Sequence, residues 1–328
     1  MTEFRALWIE RDDDGFRRSV ITRSVDDLPE GELLVEVDFS SLNYKDALSA
    51  TGNPGVTRAF PHTPGIDAAG HVRASSDPAF AEGDPVVVIG FDLGMNTHGG
   101  FAGYVRVPSA WAVPLPEGLT LRDAMILGTA GFTAAACVDK LETAGSLGRG
   151  PVLVTGATGG VGSVAVMLLS KLGQEVFAVS GKPEMTDWLN SLGASEVLGR
   201  ESLLEGGNRP MLAERWGAVV DTVGGEPLVG ALKALRYGCS AAICGLVASP
   251  TLPATVLPFI LRNVNLLGVD SVELPLADKT RIWQRLAGEW RLDGLEELVV
   301  PLDLDALPDA IDEILAGRMA GRGLVRPR

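Results

Sequence analysis

The run Val154–Gly162 (VTGATGGVG) carries the most specific chemistry in the chain. It follows a short apolar stretch at 151–155. It precedes a segment in which Val161, Val164, Ala165, Leu168, Leu169 and Leu172 recur at the spacing of one helix face. A glycine run between a strand and a helix is the setting in which such a motif signifies a dinucleotide site. Gly159 and Gly162 take the second and third positions of that fingerprint, and Ala157 takes the first. Small residues there let the backbone approach a pyrophosphate. The turn from Gly159 through Gly160 and Val161 to Gly162 offers N–H donors and the positive end of a helix dipole.

The next strand, 175–180, ends in Val179-Ser180-Gly181-Lys182. An enzyme selective for NAD places a carboxylate at this point to accept from the ribose 2′-hydroxyl. Here a hydroxyl, a backbone N–H and an ammonium stand instead, a set suited to a 2′-phosphate. The expected cofactor is NADPH; the plainer reading makes Lys182 a solvated surface residue.

These groups need elements to hold them. The first 120 residues look β-rich, with strand signals at 33–39, 85–90 and 103–108. From about residue 124 strand and helix alternate. Strands are expected at 151–155, 175–180, 196–198, 217–221, 240–244 and 264–269, and Pro183 is placed to open a helix that Gly193 ends. That alternation predicts an α/β fold with a doubly wound parallel sheet. The tail reads as helix (272–291), strand (298–304), helix (305–317) and a last strand near 323–325. The expected division is 1–123 with 297–328 as one domain and 124–296 as the nucleotide-binding domain.

Composition excludes several classes. With 28 basic and 42 acidic residues the net charge is −14, which repels nucleic acid and anionic membranes. No basic segment leading into an apolar one opens the sequence, and no uninterrupted apolar run approaches about 18 residues. Cys137, Cys239 and Cys244 have no metal-ligand spacing and read as reduced thiols, so a cytoplasmic protein is expected. Of the histidines, His62 sits in a Pro-rich turn and His71 follows a small-residue strand. His98, in the glycine-rich loop 94–100, could face a substrate or be an ordinary loop residue.

Several segments, in order along the whole chain, carry a family likeness: SLNYKD (41–46), PGIDAAG (64–70), GTAGFTA (128–134), VTGATGGVG, AVSGK (178–182), DTVGG (221–225) and LPFILRNVNLLGVDS (257–271). Together they resemble the medium-chain dehydrogenase/reductases, and among them the zinc-free acryloyl-CoA reductase branch. The resemblance implies a GroES-like, mostly β catalytic domain and a Rossmann domain, with the cofactor in the cleft between them. Where zinc-dependent members carry Cys, His and Cys, this chain has Asn43, Ile66 and Thr129, which do not make a tetrahedral zinc site. By the same resemblance Tyr44 lies beside the nicotinamide and its ribose, and Thr129 joins the cofactor contacts. The Gly159–Gly162 turn holds the pyrophosphate; Ser180, Gly181 and Lys182 hold the 2′-phosphate, with Arg200 nearby. Leu246 packs near the ring and Ser271 touches the cofactor. Close relatives often have arginine where Lys182 stands, so phosphate selectivity is expected to be weaker here. Residues 257–271 would be the edge by which two copies join as a homodimer.

The chemistry implied is hydride transfer to the β-carbon of a small enoyl-CoA, acryloyl-CoA to propanoyl-CoA, followed by protonation at the α-carbon. Tyr44 is the candidate catalytic residue, as proton donor or relay, or else it only wedges the ring in place. Asn43 and Asp67 read as scaffold. A quinone or general enone reductase would share the cofactor and fold, and a non-catalytic NADPH-binding redox sensor is the reading from another class.

Overall fold

The computed structural model describes residues 2–13 and 15–328. In chain order the elements are β1 (Glu3–Asp12), β2 (Gly15–Ser24), β3 (Leu33–Leu42), α1 (Tyr44–Ala50), β4 (Asp67–Ser75), β5 (Pro85–Ile89), β6 (Tyr104–Val107), β7 (Ala112–Pro114) and α2 (Leu121–Thr143). There follow β8 (Val152–Val154), α3 (Gly160–Lys171), β9 (Val176–Ser180), α4 (Thr186–Ser191), β10 (Glu196–Gly199), β11 (Trp216–Asp221), α5 (Gly225–Lys233) and β12 (Leu235–Ile243). The last are α6 (Leu257–Arg262), β13 (Asn265–Gly268), α7 (Leu276–Ala287), β14 (Val299–Asp303), α8 (Leu307–Leu315) and β15 (Arg322–Arg326).

Two compact units result. The first comprises residues 1–129, 271–289 and 293–328, and the second 130–270 with 290–292. The division differs from the sequence expectation of 124–296 for the nucleotide domain, because α7 belongs to the first unit. The reason is Lys279: fully buried, its ammonium donates to the carbonyls of Ile89 and Val272 at 2.9 Å each and lies 3.5 Å from the Phe91 ring centre. A buried cation must be solvated by the fold, and this one ties α7 to the end of β5.

In the first unit a seven-stranded sheet runs β14-β15-β3-β4-β5-β7, with β6 also on β3, beside the β1–β2 hairpin. Leu33, Val35 and Val37 alternate along β3 into a core with Val72, Val86, Val88 and Val105, as a half-solvated strand requires. Register matters most at one end. Leu42 faces Gly323 and Ser41 faces Leu324 across β3 and β15, and Asp67 opens β4 opposite Ile89. Helix α8 buries Leu307, Ala310 and Ile311, one helical face, in a cluster with Ala47 and Ala50 of α1.

The second unit is a six-stranded sheet in the order β10-β9-β8-β11-β12-β13, parallel throughout. Renumbered within the sheet this is 3-2-1-4-5-6, the doubly wound order expected. Its direction reverses between β8 and β11, where such sheets hold ligands at the strand C-termini. Pro183 opens a short 3₁₀ turn (Pro183–Met185) ahead of α4, and the turn at Gly193 follows with φ of 105°. Helix α2 is long and apolar enough to cross a membrane by length and composition, but 83% of its apolar window is buried, as in a core helix.

Candidate functional site

The turn after β8 is built as the fingerprint requires, with one role placed differently. Gly156, which the motif assignment passed over, takes the left-handed φ of 61°, and a side chain there would meet the Thr222 hydroxyl. Ala157, in the first fingerprint position, is fully buried. At Gly162 a Cβ would fall 2.3 Å from the Gly156 carbonyl oxygen, so this glycine is demanded by the protein's own packing. Gly159 differs: a Cβ there would meet only the Gly156 carbonyl oxygen, at 3.3 Å. Little in the fold requires glycine at 159; a ligand backbone approaching the helix N-terminus would. Gly160, Val161 and Gly162 begin α3, and no acidic residue occupies its first turn. Their N–H groups belong to the set that a helix cannot satisfy internally.

The turn is braced by Asp221 at the end of β11. It accepts from the Thr155 hydroxyl at 2.7 Å and from the Gly224 N–H at 2.7 Å, and the Thr222 hydroxyl donates to the Thr155 carbonyl at 2.8 Å. These bonds join β8 to β11 across the point where the sheet order reverses. Burial pushes the Asp221 carboxyl up.

At the end of β9, Ser180 is buried and its hydroxyl oxygen accepts the Lys182 N–H at 3.0 Å. Parallel pairing sets Gly199 beside Ser180, which carries Arg200 against Gly181; a Cβ at 181 would lie 2.3 Å from the guanidinium Nε. Ser180, Gly181, Lys182 and Arg200 thus form one corner. Burial, with the Arg200 charge adding, lowers the Lys182 ammonium from its usual range, while Glu184 opposes this. Two neighbouring cations at the end of a strand can receive an anion. Leu246 lies on the loop after β12 and is 58% exposed. All three cysteines are free, and Cys137 and Cys244 adjoin one another.

In the first unit a buried carboxylate organises the residues that the resemblance placed at the metal position. Asp67 is fully buried. Its Oδ2 accepts from the Asn43 amide at 2.8 Å, the Thr129 N–H at 2.9 Å and the Ser41 hydroxyl; its Oδ1 accepts the Thr129 hydroxyl at 2.5 Å. Arg322 on β15 stands 3.9 Å from Oδ2, donating elsewhere to the Ile126 carbonyl at 2.8 Å and the Asn43 side-chain oxygen at 3.2 Å. Gly128 breaks α2 with φ of 52°. A Cβ there would come within 2.7 Å of Ser41, Asp67 and Arg322 at once. Asp46 accepts from the Asn43 N–H and the Ile66 N–H, both at 2.8 Å. Burial and then the Asp67 charge push its carboxyl up to about 7, against the pull of those N–H bonds. Sequence reading named Asn43, Thr129 and, as scaffold, Asp67; it missed Ser41, Asp46, Gly128 and Arg322, of which only the Asn43–Asp46 capping spacing gave a local signal.

Tyr44, partly exposed, opens α1 next to Asn43, while Ser271, mostly buried, lies in the segment before α7. His98 stacks between Trp8 and His62, and burial, Arg23 and His62 push it down to about 4, so it is uncharged at neutral pH. His62 is buried with its Nε2 bonded to the Gly94 carbonyl, and His71 pairs with Asp38.

Comparison with known proteins decides the family. The family described as "Alcohol dehydrogenase GroES-like domain" matches residues 29–117, and "Zinc-binding dehydrogenase" matches 160–287. An acrylyl-CoA reductase, AcuI, of Ruegeria pomeroyi is 46% identical over 98% of both chains. The chain is a medium-chain dehydrogenase/reductase. Among solved structures, the yhdH oxidoreductase of Salmonella enterica in complex with NADP superposes with a TM-score of 0.95 at 45% identity, covering 99% of this chain and 100% of that one. Bacillus subtilis yhfP with NAD bound gives 0.97 at 44%, with full coverage of both. The zinc in the second family's description does not fit these residues. Among the described residues no group of three His, Cys, Asp or Glu converges, Asn43 and Thr129 are committed to Asp67, and Ile66 offers no donor atom.

Two expectations follow. Gly159→Ala should unfold within about 1 kcal/mol of wild type yet bind NADPH at least tenfold more weakly, whereas Gly162→Ala should lose roughly 2–3 kcal/mol of stability outright; urea melts with a fluorescence titration read both, and equal stability losses would contradict the assignment. A carboxyl whose folded pKa lies above its unfolded value contributes stability at low pH that is lost as pH rises toward the folded value. Wild type should therefore lose roughly 2 kcal/mol from Asp46 between pH 5 and 7. Asp46→Asn should be less stable overall but flatter over that range, and an unchanged slope would clear Asp46 of the effect.

Proposed function

We propose that this reductase reduces the carbon–carbon double bond of a small α,β-unsaturated acyl-CoA thioester, acryloyl-CoA to propanoyl-CoA, with NADPH as reductant. The observation that carries the reading is the corner of Ser180, Lys182 and Arg200, in a chain 46% identical end to end with an acrylyl-CoA reductase. The Gly159–Gly162 turn would hold the pyrophosphate; Ser180, the Gly181 N–H, Lys182 and Arg200 would hold the 2′-phosphate; Tyr44, Thr129, Leu246 and Ser271 would serve the nicotinamide end. NADPH, when bound, supplies the hydride that the β-carbon needs.

The chain's task is to meet the charge that develops on the thioester oxygen and to deliver a proton. Around Asp67 the donors are already spent. The Asn43 amide donates to Asp67, Asp46 and the Ser41 carbonyl, and the Thr129 hydroxyl donates to Asp67. Tyr44, beside Asn43, therefore remains the side chain in this segment whose O–H can donate to substrate or relay a proton. We further propose a cytoplasmic homodimer. Its support is the edge strand β13 together with Ile260 and Leu261 of α6, apolar side chains more than half exposed.

Steady-state NADPH oxidation with acryloyl-CoA, longer enoyl-CoAs and a benzoquinone in parallel tests the reading. Acryloyl-CoA should have the highest kcat/KM. Lys182→Ala and Arg200→Ala should each raise the KM for NADPH about tenfold while leaving that for NADH within about twofold. Tyr44→Phe should lower kcat at least tenfold. Preference for the quinone would overturn the substrate, and a Tyr44→Phe rate within about threefold of wild type would remove the acid role.

A further inference from the structure

Cys137 and Cys244 are two thiols in contact that the proposed reaction does not use. Both belong to the second unit. Lys140 on α2 donates to the Gly268 carbonyl at the end of β13, and Gly268 pairs with Ile243 of β12. Cys137 lies three residues before Lys140, on the same side of the helix. Cys244 directly follows Ile243, so its thiol meets that side of α2, and the two thiols are hydrogen-bonded. Cys239, the third cysteine, packs elsewhere, in a core cluster with Leu228 and Leu232 of α5. Cys244 is also anchored to β11: its N–H donates to the Asp221 carbonyl at 3.0 Å and its thiol at 3.5 Å. Gly245 leaves no slack after it, since a Cβ there would fall 1.9 Å from the Thr222 carbonyl oxygen.

We propose that Cys137 and Cys244 are a redox-sensitive pair, closed to a disulfide by a hydroperoxide and reopened by a dithiol, and that closing it weakens the hold on the dinucleotide. The second half of this rests on the NADPH reading. Cys244 is partly exposed and meets the oxidant first; Cys137 is fully buried. The Cys244 sulfur takes one oxygen of the peroxide as the O–O bond breaks, giving a sulfenic acid and an alcohol, or water from hydrogen peroxide. The Cys137 sulfur then attacks that sulfur, and its proton leaves with the displaced hydroxide as water. The two thiols lose two electrons and the peroxide gains them. The hydrogen bond from Cys244, and burial after it, push the Cys137 thiol well above its usual range, so the second step is the slow one. The new bond draws the Cys244 sulfur away from the Asp221 carbonyl. With Gly245 packed on Thr222, the shift is passed to Thr222 and Asp221, which brace the nucleotide turn through Thr155 and Gly224.

Reduced wild type treated with hydrogen peroxide, then unfolded in iodoacetamide and mapped by peptide mass, tests the bond. Of the three thiols only Cys239 should still be alkylated, with the peptides of Cys137 and Cys244 linked, and dithiothreitol should restore all three. Fluorescence titration of the same oxidised sample should show NADPH bound about fivefold more weakly, a loss that dithiothreitol reverses. Cys244→Ala should show neither the link nor the loss; should that variant not fold, the wild-type peptide map and titration decide. Peroxide that leaves all three thiols alkylated overturns the proposal, and so does Cys244 carried on to a sulfinic acid with Cys137 untouched. A linked pair with unchanged NADPH affinity overturns the coupling. Reduced wild type that fails to bind NADPH sinks the cofactor reading and the coupling with it, while the peptide map still decides the bond.

Discussion

Asp67 is a carboxylate with no exposure to solvent, and the arrangement of the first unit follows from the need to satisfy it. Removing such a charge from water costs several kcal/mol, recovered only if donors and an opposite charge converge on it. They come from Ser41 and Asn43 at the end of β3, Thr129 at the break in α2 and Arg322 on β15, segments up to 281 residues apart. The pairing of β15 with β3, the left-handed glycine in α2 and the capping of α1 by Asp46 are each conditions of that convergence. Satisfaction is incomplete at one atom: the Arg322 Nη2 nearest Asp67 is buried without a hydrogen-bond partner. Burial lowers the guanidinium's pKa, and the charges of Asp67 and then Asp46 oppose this only in part. A network this constrained is rigid, which suits a site whose donors must be aimed in advance.

The second unit meets a different demand. A protein of net charge −14 must hold a polyanionic cofactor by local means. It has three: the N–H groups at the start of α3 that the helix leaves without partners, the absence of an acid from that helix's first turn, and the neighbouring cations Lys182 and Arg200. The Thr155–Asp221 bond plays for this unit the part that Asp67 plays for the other, since it fixes the turn without occupying its donors. The bound NAD in the B. subtilis relative and NADP in the S. enterica relative show that this scaffold accommodates both forms of dinucleotide.

What could be read from the sequence was what is local. Apolar alternation marked β3, short apolar runs between turn residues marked β5 and β6, and the strand–helix rhythm marked the parallel sheet and its glycine turn. The β1–β2 hairpin escaped because its strands interleave charge with apolar residues and bury Ala6 and Leu7 in succession, which breaks period two. Ala68, Ala69 and Gly70 gave β4 too little apolar bulk to register as a full strand. Helix α7 was assigned to the wrong unit because its amphipathic pattern says that it packs, not on what; buried Lys279 decides that. Gly128 stood out only as the first residue of the family-like segment GTAGFTA, since a positive φ is set by tertiary crowding. Arg322 was invisible as a partner of Asn43 for the same reason: nothing near it in sequence requires it to be buried.

A scaffold related to zinc enzymes here carries a carboxylate–guanidinium network in place of ligands, with reducing power drawn from the nicotinamide. Turnover of acryloyl-CoA with NADPH deuterated at the transferable position, by enzyme dialysed against a chelator and assayed for metals, tests it most directly. Turnover should be undiminished at negligible metal content, with one deuterium at the β-carbon of propanoyl-CoA and a solvent-derived hydrogen at the α-carbon. Activity that tracks bound zinc, or product without deuterium at the β-carbon, would contradict it.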